Sequence, residues 1–204
     1  MRVNKKKFIY LISPNKIYKK FFKDLQKVLE TGKISFFQLR LKKYSFKHKI
    51  LIGQKIKNIC KKNKVKFLIN DDPILAKRLG ADGCHLGQKD MNIKEARKII
   101  GKKIIGITCH NSITLAKIAI KAKASYLAFG AFYSSKTKKT NHTANIKILK
   151  KIKKITKIPI VAIGGINSEN YKNLLLNNAN FLAISGYIWN NKKYKPLEAL
   201  ERLK

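Results

Sequence analysis

Acidic residues are scarce in this chain: 10 Asp and Glu stand against 47 Lys and Arg in 204 residues, for a formal net charge of +37. Long apolar runs are missing as well. Nothing approaches the ~18 consecutive apolar residues that mark a membrane-spanning helix, so none is expected. The start, Met1 to Lys7, runs into only a few apolar residues before Pro14. That is too short for a secretory signal core and carries no small-residue cleavage site, so a cytoplasmic protein is expected. Cys60, Cys84 and Cys109 are an odd number of cysteines at no metal-like spacing, which points to neither a disulfide framework nor a zinc site. The H-E-x-x-H zinc spacing is absent too. After the first apolar run stands Ser13-Pro14-Asn15-Lys16, where a dinucleotide-binding open sheet would need a Gly-rich turn.

What the chain has in excess is lysine. A field this positive attracts polyanions, and its first reading is nucleic acid. The excess, however, is nearly all Lys, whereas base readout and bidentate phosphate contacts lean on Arg. It is also spread in pairs and triplets along the whole chain instead of gathered in one arm. Lys, Ile and Asn, all plentiful here, share A/T-rich codons, so codon bias accounts for lysine-loaded solvated faces. No specific nucleic-acid partner and no membrane partner is expected. With acids so few, their positions carry more information than usual.

Short apolar runs alternate with helical patterns from end to end. Residues 8–12, 34–41, 66–69, 83–86, 104–108, 126–129, 158–163 and 181–184 read as strands. Helical patterns follow at about 16–30, 46–61, 73–79, 93–100, 112–122, 144–155, 168–176 and 196–203, with Gly32, Gly80 and Gly101 placed as C-terminal caps. Strands separated by helices run parallel, because the chain crosses back over the sheet before each new strand. Eight such pairs in 204 residues predict a single-domain α/β fold, a closed (β/α)8 TIM barrel over residues 1–204. A doubly wound open sheet is the main rival.

In such a barrel the chemistry sits at the C-terminal ends of the strands. Four of the ten acids, Asp71, Asp72, Asp82 and Asp90, cluster around the third and fourth strands. Those strands are neighbours, so Asp71 and Asp90 can point at one spot. Two carboxylates there repel unless a cation lies between them, and one or two carboxylates plus phosphate oxygens is how Mg2+ is usually held. Asp72, just before Pro73, is placed to N-cap a helix instead. Arg40, Lys42 and Lys138 bring positive charge to the same rim and suit a diphosphate. Gly164-Gly165 and Ser185-Gly186 follow the seventh and eighth strands, the usual phosphate site of barrels. His85 and His110 end strands and are rim or packing residues; His48 and His142 read as surface. Mg2+ plus two phosphorylated groups on one barrel points to group transfer with departure of diphosphate.

The ordered signatures Gln38-Leu39-Arg40-x-Lys42, Ile69-Asn70-Asp71, Ala81-Asp82-Gly83-x-His85-Leu86-Gly87-Gln88-x-Asp90, Gly106-Ile107-Thr108-x-His110, Thr137-Lys138-Lys139 and Ile163-Gly164-Gly165-Ile166 resemble those of the thiamine-phosphate synthase family over nearly the whole length. That family joins a hydroxymethylpyrimidine diphosphate to a thiazole phosphate and releases pyrophosphate. The resemblance implies that Gln38, Leu39, Arg40, Leu41 and Lys42, with Asn70, Thr108 and Lys138, hold the pyrimidine diphosphate. It implies catalytic charge from Arg40, Lys42 and Lys138, and Mg2+ on Asp71 and Asp90. Ser135, Lys136, Thr137, Gly165, Ser185 and Gly186 would hold the thiazole phosphate. Departures are Leu41 in place of an acid, Ser134 for Pro, Ser135 for Thr, Thr108 for Ser, Lys136 for a neutral or acidic residue, and Ser185-Gly186 for an aliphatic residue then Ser. The hydroxyl exchanges keep donor and acceptor capacity. Two other readings are a thiazole tautomerase of the same superfamily, a group that tends to lose the aspartates and diphosphate-binding residues, and a polyanion-binding protein on a retired barrel.

Overall fold

The computed structural model describes residues 7–134 and 142–204. Eight strands close into one parallel barrel in chain order. They are β1 (Ile9–Ile12), β2 (Ile34–Leu39), β3 (Lys66–Asn70), β4 (Gly83–Leu86), β5 (Ile104–His110), β6 (Tyr126–Phe129), β7 (Ile160–Ile163) and β8 (Phe181–Ile184). The helices among the described residues are α1 (Phe21–Glu30), α2 (Phe46–Lys62), α3 (Pro73–Leu79), α4 (Ile93–Ile100), α5 (Ile113–Lys121), α6 (Lys147–Ile155), α7 (Tyr171–Leu176), α8 (Gly186–Trp189) and α9 (Pro196–Glu201). None is long and apolar enough to cross a membrane. Cys60, Cys84 and Cys109 are buried free thiols.

Alternation along the strands sorts two cores. Ile9, Leu11, Phe37, Leu39, Phe67, Ile69, Leu127 and Phe129 face outward and pack under the helices. Tyr10, Ile12, Leu68, Tyr126, Ala128, Val161 and Ala183 face inward and fill the barrel, with Phe36 and Phe181 against them. The lower barrel is stoppered by rings: Phe36 stands edge-on to Phe181 at 5.0 Å between centroids and lies 5.4 Å from Tyr10. Gly106 makes room for the ring of Tyr126, because a Cβ at this position would overlap it.

Helix starts depart from the periodicity, for reasons of capping. The first helix begins at Phe21 and not near residue 16, and its cap position, Lys20, offers no side-chain acceptor. Cations in a first turn also oppose the helix dipole. The seventh begins at Tyr171, because the Asn167 side chain accepts from the N–H groups of Glu169 and Asn170 and holds those residues in a turn. The sixth begins at Lys147, whose N–H is taken by the Asn145 side chain. Strand β2 stops at Leu39, two residues early, and β5 runs on to His110 with its register to β6 shifting between Thr108 and His110. The short α8 was not foreseen; four residues are too few to show a period.

Candidate active site

The C-terminal ends of the strands surround a cavity of about 690 Å³. Arg40 and Lys42 come from the loop after β2, and Asn70 and Asp71 from the end of β3. Asp90 comes from the loop after β4 and Thr108 from β5. Gly164, Gly165 and Ser185 close the opposite side. These residues, singled out in the sequence, line one cavity.

Asp71 takes a left-handed backbone, φ 64°, which Asp tolerates better than most residues. Its N–H donates to the His85 carbonyl at 2.8 Å, tying the turn to β4. Lys42 Nζ lies 2.9 Å from Asp71 Oδ2. Asp90 is fixed from behind, its Oδ2 accepting from the Gly87 N–H at 2.7 Å. A Cβ at Gly87 would stand 2.9 Å from that oxygen, so glycine keeps the carboxylate in place. Asp72 N-caps α3, accepting from the Leu75 N–H at 2.8 Å, as expected.

The two carboxylates hydrogen-bond to one another and titrate as a pair. Burial pushes Asp90 up, and the neighbouring Asp71 pushes it further, against the Gly87 N–H. Burial would raise Asp71 too, but the hydrogen bonds from Lys42 and Asp90 and the charge of Lys42 bring it below the ordinary carboxylate range. Such a pair shares a proton in the absence of a cation and gives it up to a divalent ion. No cluster of three or more His, Cys, Asp or Glu exists among the described residues. A cation held here would have two protein carboxylates and would need its remaining oxygens from water or substrate, which is how Mg2+ is usually bound. Arg40 is anchored through Nη1 to Asn15 Oδ1 at 3.1 Å. Burial pulls its pKa down and Asp71 partly offsets this.

On the far side the wall is backbone. Gly165 has φ 60°, and a Cβ there would run into the Tyr133–Ser134 backbone. The Phe132 and Tyr133 N–H groups donate to Ile163 and Gly164 at 3.1 Å each. Glycine at 165 is thus demanded by the neighbouring chain, independently of any ligand. The Ser185 hydroxyl donates to the Ser13 carbonyl at 3.0 Å and is occupied by that bond.

Several expected residues sit elsewhere. The side chains of Leu39 and Leu41 are buried in the outer core, 2% and 4% exposed, and do not line the cavity; contact with a ligand is left to their backbone. Gly186 opens α8 and is not among the lining residues. Ser135, Lys136, Thr137 and Lys138 lie outside the described residues. His142 is exposed, as its context implies, yet it lines the cavity and its ring lies 3.9 Å from that of His110. Sequence reasoning missed Tyr10 and Tyr126, because a tyrosine at the centre of a strand reads as core.

Fold and rim together define the class, a (β/α)8-barrel enzyme with a charged C-terminal mouth. The chain belongs to the thiamine monophosphate synthase family, whose model matches residues 9–188. A thiamine-phosphate synthase of Pelagibacter ubique (strain HTCC1062) is 68% identical over 207 residues, covering 100% of both chains. One of Erythrobacter litoralis (strain HTCC2594) is 39% identical over 196 residues, 94% of this chain and 92% of that one. A solved thiamine phosphate pyrophosphorylase from Pyrococcus furiosus has a TM-score of 0.86 at 28% identity, covering 98% of this chain and 94% of that one. Orotidine 5'-phosphate decarboxylase from Pyrococcus horikoshii OT3, with a TM-score of 0.67 and 14% identity, shares the fold alone. By this membership the chain is a transferase of thiamine biosynthesis.

Proposed function

We propose that the cavity transfers the pyrimidinylmethyl group of hydroxymethylpyrimidine diphosphate to the ring nitrogen of thiazole phosphate. The C–O bond to the diphosphate breaks, and pyrophosphate leaves with the electron pair. The thiazole nitrogen lone pair then forms the new C–N bond, giving thiamine phosphate. No side-chain nucleophile is required.

The observation that carries this reading is the Asp71–Asp90 pair with Lys42 and Arg40 beside it on one rim. Asp71 and Asp90 would hold Mg2+, which supplies charge neutralisation to the departing pyrophosphate. Arg40 offers a fixed fork to diphosphate oxygens. Lys42, 2.9 Å from Asp71, is a mobile cation that would reach a phosphate oxygen from the same rim. Asn70 and Thr108 add neutral polar groups, and Lys138 adds a further cation by the family pattern. Each is worth most where charge grows as the bond breaks. The glycine wall at Gly164 and Gly165, with Ser185, receives the thiazole phosphate, joined by Ser135, Lys136, Thr137 and Gly186 by the same pattern. Residues 1–204 act as one catalytic domain. The strong positive field draws both anionic substrates to the mouth, so lysine excess and small-molecule chemistry are compatible. Buried free thiols favour a reducing, cytoplasmic setting, with no specific nucleic acid as partner.

The test is a pyrophosphate-release assay with both substrates and Mg2+, omitting each in turn. Release is expected only with all three. Release that persists in EDTA removes the metal from the scheme. A thiazole tautomerase would instead isomerise thiazole phosphate alone, and a polyanion binder would show salt-sensitive DNA binding without release.

A further inference from the structure

On the floor of the cavity, five inward-facing side chains form one hydrogen-bonded chain across the barrel. Gln38 Nε2 donates to the Tyr10 hydroxyl at 2.7 Å. The Tyr10 and Tyr126 hydroxyls are 2.8 Å apart. Tyr126 continues to His85 Nδ1 at 2.9 Å, and His85 Nε2 reaches Thr108 Oγ1 at 2.9 Å. These groups come from β2, β1, β6, β4 and β5, so the chain links strands that are not neighbours.

Its direction follows from the Gln38 amide, whose Nε2 faces Tyr10, together with a count of protons. Each phenol has one proton to donate, and burial pushes both Tyr10 and Tyr126 far above the usual phenol value, so both keep it. Tyr10 already accepts from Gln38. If Tyr126 donated to Tyr10 as well, the Tyr10 proton would be left buried without an acceptor among the described residues, which is costly. Tyr10 therefore donates to Tyr126, and Tyr126 donates to His85 Nδ1. That sets His85 as the neutral tautomer with its proton on Nε2, donating to Thr108. The two ends then present opposite faces to the cavity that both line. Gln38 has an amide N–H tied to Tyr10, which leaves its Oε1 as an acceptor. Thr108 accepts from His85, which leaves its own hydroxyl proton as a donor.

We propose that this relay is a specificity device: Tyr10, Tyr126 and His85 act as positioning residues that fix Gln38 as an acceptor for a ring amino group and Thr108 as a donor to a diphosphate oxygen. The inference rests on the pyrimidine diphosphate reading of the cavity and adds what selects the amino-bearing ring. A ring carrying a carbonyl in place of the amino group would set acceptor against acceptor at Gln38. Sites built to hydrogen-bond one polar group reject the wrong partner strongly. Without the relay the Gln38 amide can turn over and accept either ring.

The experiment compares kcat/KM for the aminopyrimidine diphosphate and its carbonyl analogue, in wild type, Tyr10→Phe and Tyr126→Phe. Phenylalanine keeps the rings and their packing against Phe36. Melting curves accompany each variant, and whichever folds carries the test. Wild type is expected to favour the amino substrate by about a thousandfold or more, and either variant to lose about tenfold or more of that ratio. A purely structural role would lower kcat/KM for both substrates together. An unchanged ratio in a folded variant overturns the relay while leaving the transferase reading intact. A wild type that releases no pyrophosphate from the amino substrate overturns that reading, and the relay's role falls with it.

Discussion

The two sides of the barrel mouth are made of different material. From β2 to β5 the rim is side chain: Arg40, Lys42, Asp71, Asp90 and Thr108 each bring a charge or hydroxyl on a supporting backbone. From β6 to β8 it is main chain: Gly130, Gly164 and Gly165 have no space for a Cβ, because neighbouring backbone already lies there. The side-chain half should lose chemistry on substitution while keeping its fold. The backbone half should lose its fold first.

The largest effect expected is on the side-chain half. Asp90→Asn should lower turnover about a hundredfold or more, the scale for removing one group that acts on developing charge. Its thermal midpoint should hold or rise slightly. Folding raises the Asp90 pKa, so ionised Asp90 costs stability that sets in as pH rises above its unfolded value and is complete above its folded one. Asn removes that cost. Asp71, held low, contributes the other way: its stabilisation is present above its unfolded value and is lost as pH falls through the folded one. A cooperative melt far below wild type for Asp90→Asn would erase the contrast between the halves.

Gly165→Val should do the reverse. A branched side chain in the left-handed region costs about 1–2 kcal/mol before the collision with Tyr133 and Ser134 is added. At roughly 2–4 °C per kcal/mol for a chain this long, the midpoint should fall by about 5 °C or more. A folded Gly165→Val with an unchanged midpoint and weaker thiazole phosphate binding would show that the ligand, not the backbone, demands the glycine.

A smaller effect sharpens the metal side. Proton and cation compete for the paired carboxylates, so the Mg2+ concentration for half-activation should rise as pH is lowered through the raised Asp90 value. Titrations of Mg2+ over pH ~5 to ~8 would read this, and a flat response would place the cation elsewhere. The smallest effect is expected outside the mouth altogether. Changing Lys61 and Lys62, exposed at the end of α2, to Gln should leave turnover unchanged and stability within about 0.5 kcal/mol. A large loss of activity would give the positive surface a functional part.

The same contrast explains what was legible in the sequence. The strand–helix cycle was readable because every strand alternates between an outer and an inner core. Asp71 and Asp90 stood out because acids are so few and both fall at strand ends. The boundaries of α1, α6 and α7 were not readable, since side chains such as Asn145 and Asn167 decide locally between turn and helix. Gly165 was read as a phosphate-site glycine, but the close approach that requires a glycine there, the Tyr133–Ser134 backbone, belongs to tertiary packing. Tyr10 and Tyr126 carried no polar signature, because a phenol in mid-strand and a phenylalanine there follow the same pattern. The clue lay in Gly106, a residue without a side chain opposite one that needed its space.

The stopper formed by Phe36, Phe181 and the rings of Tyr10 and Tyr126 has a kinetic consequence. A vessel closed at the bottom has a single doorway, so the ligand that lies deeper must enter before the one above it and cannot leave while the upper one remains. With the pyrimidine ring resting on the relay as proposed and the thiazole phosphate above it, the ring would have to arrive first, and product-inhibition patterns would report that order.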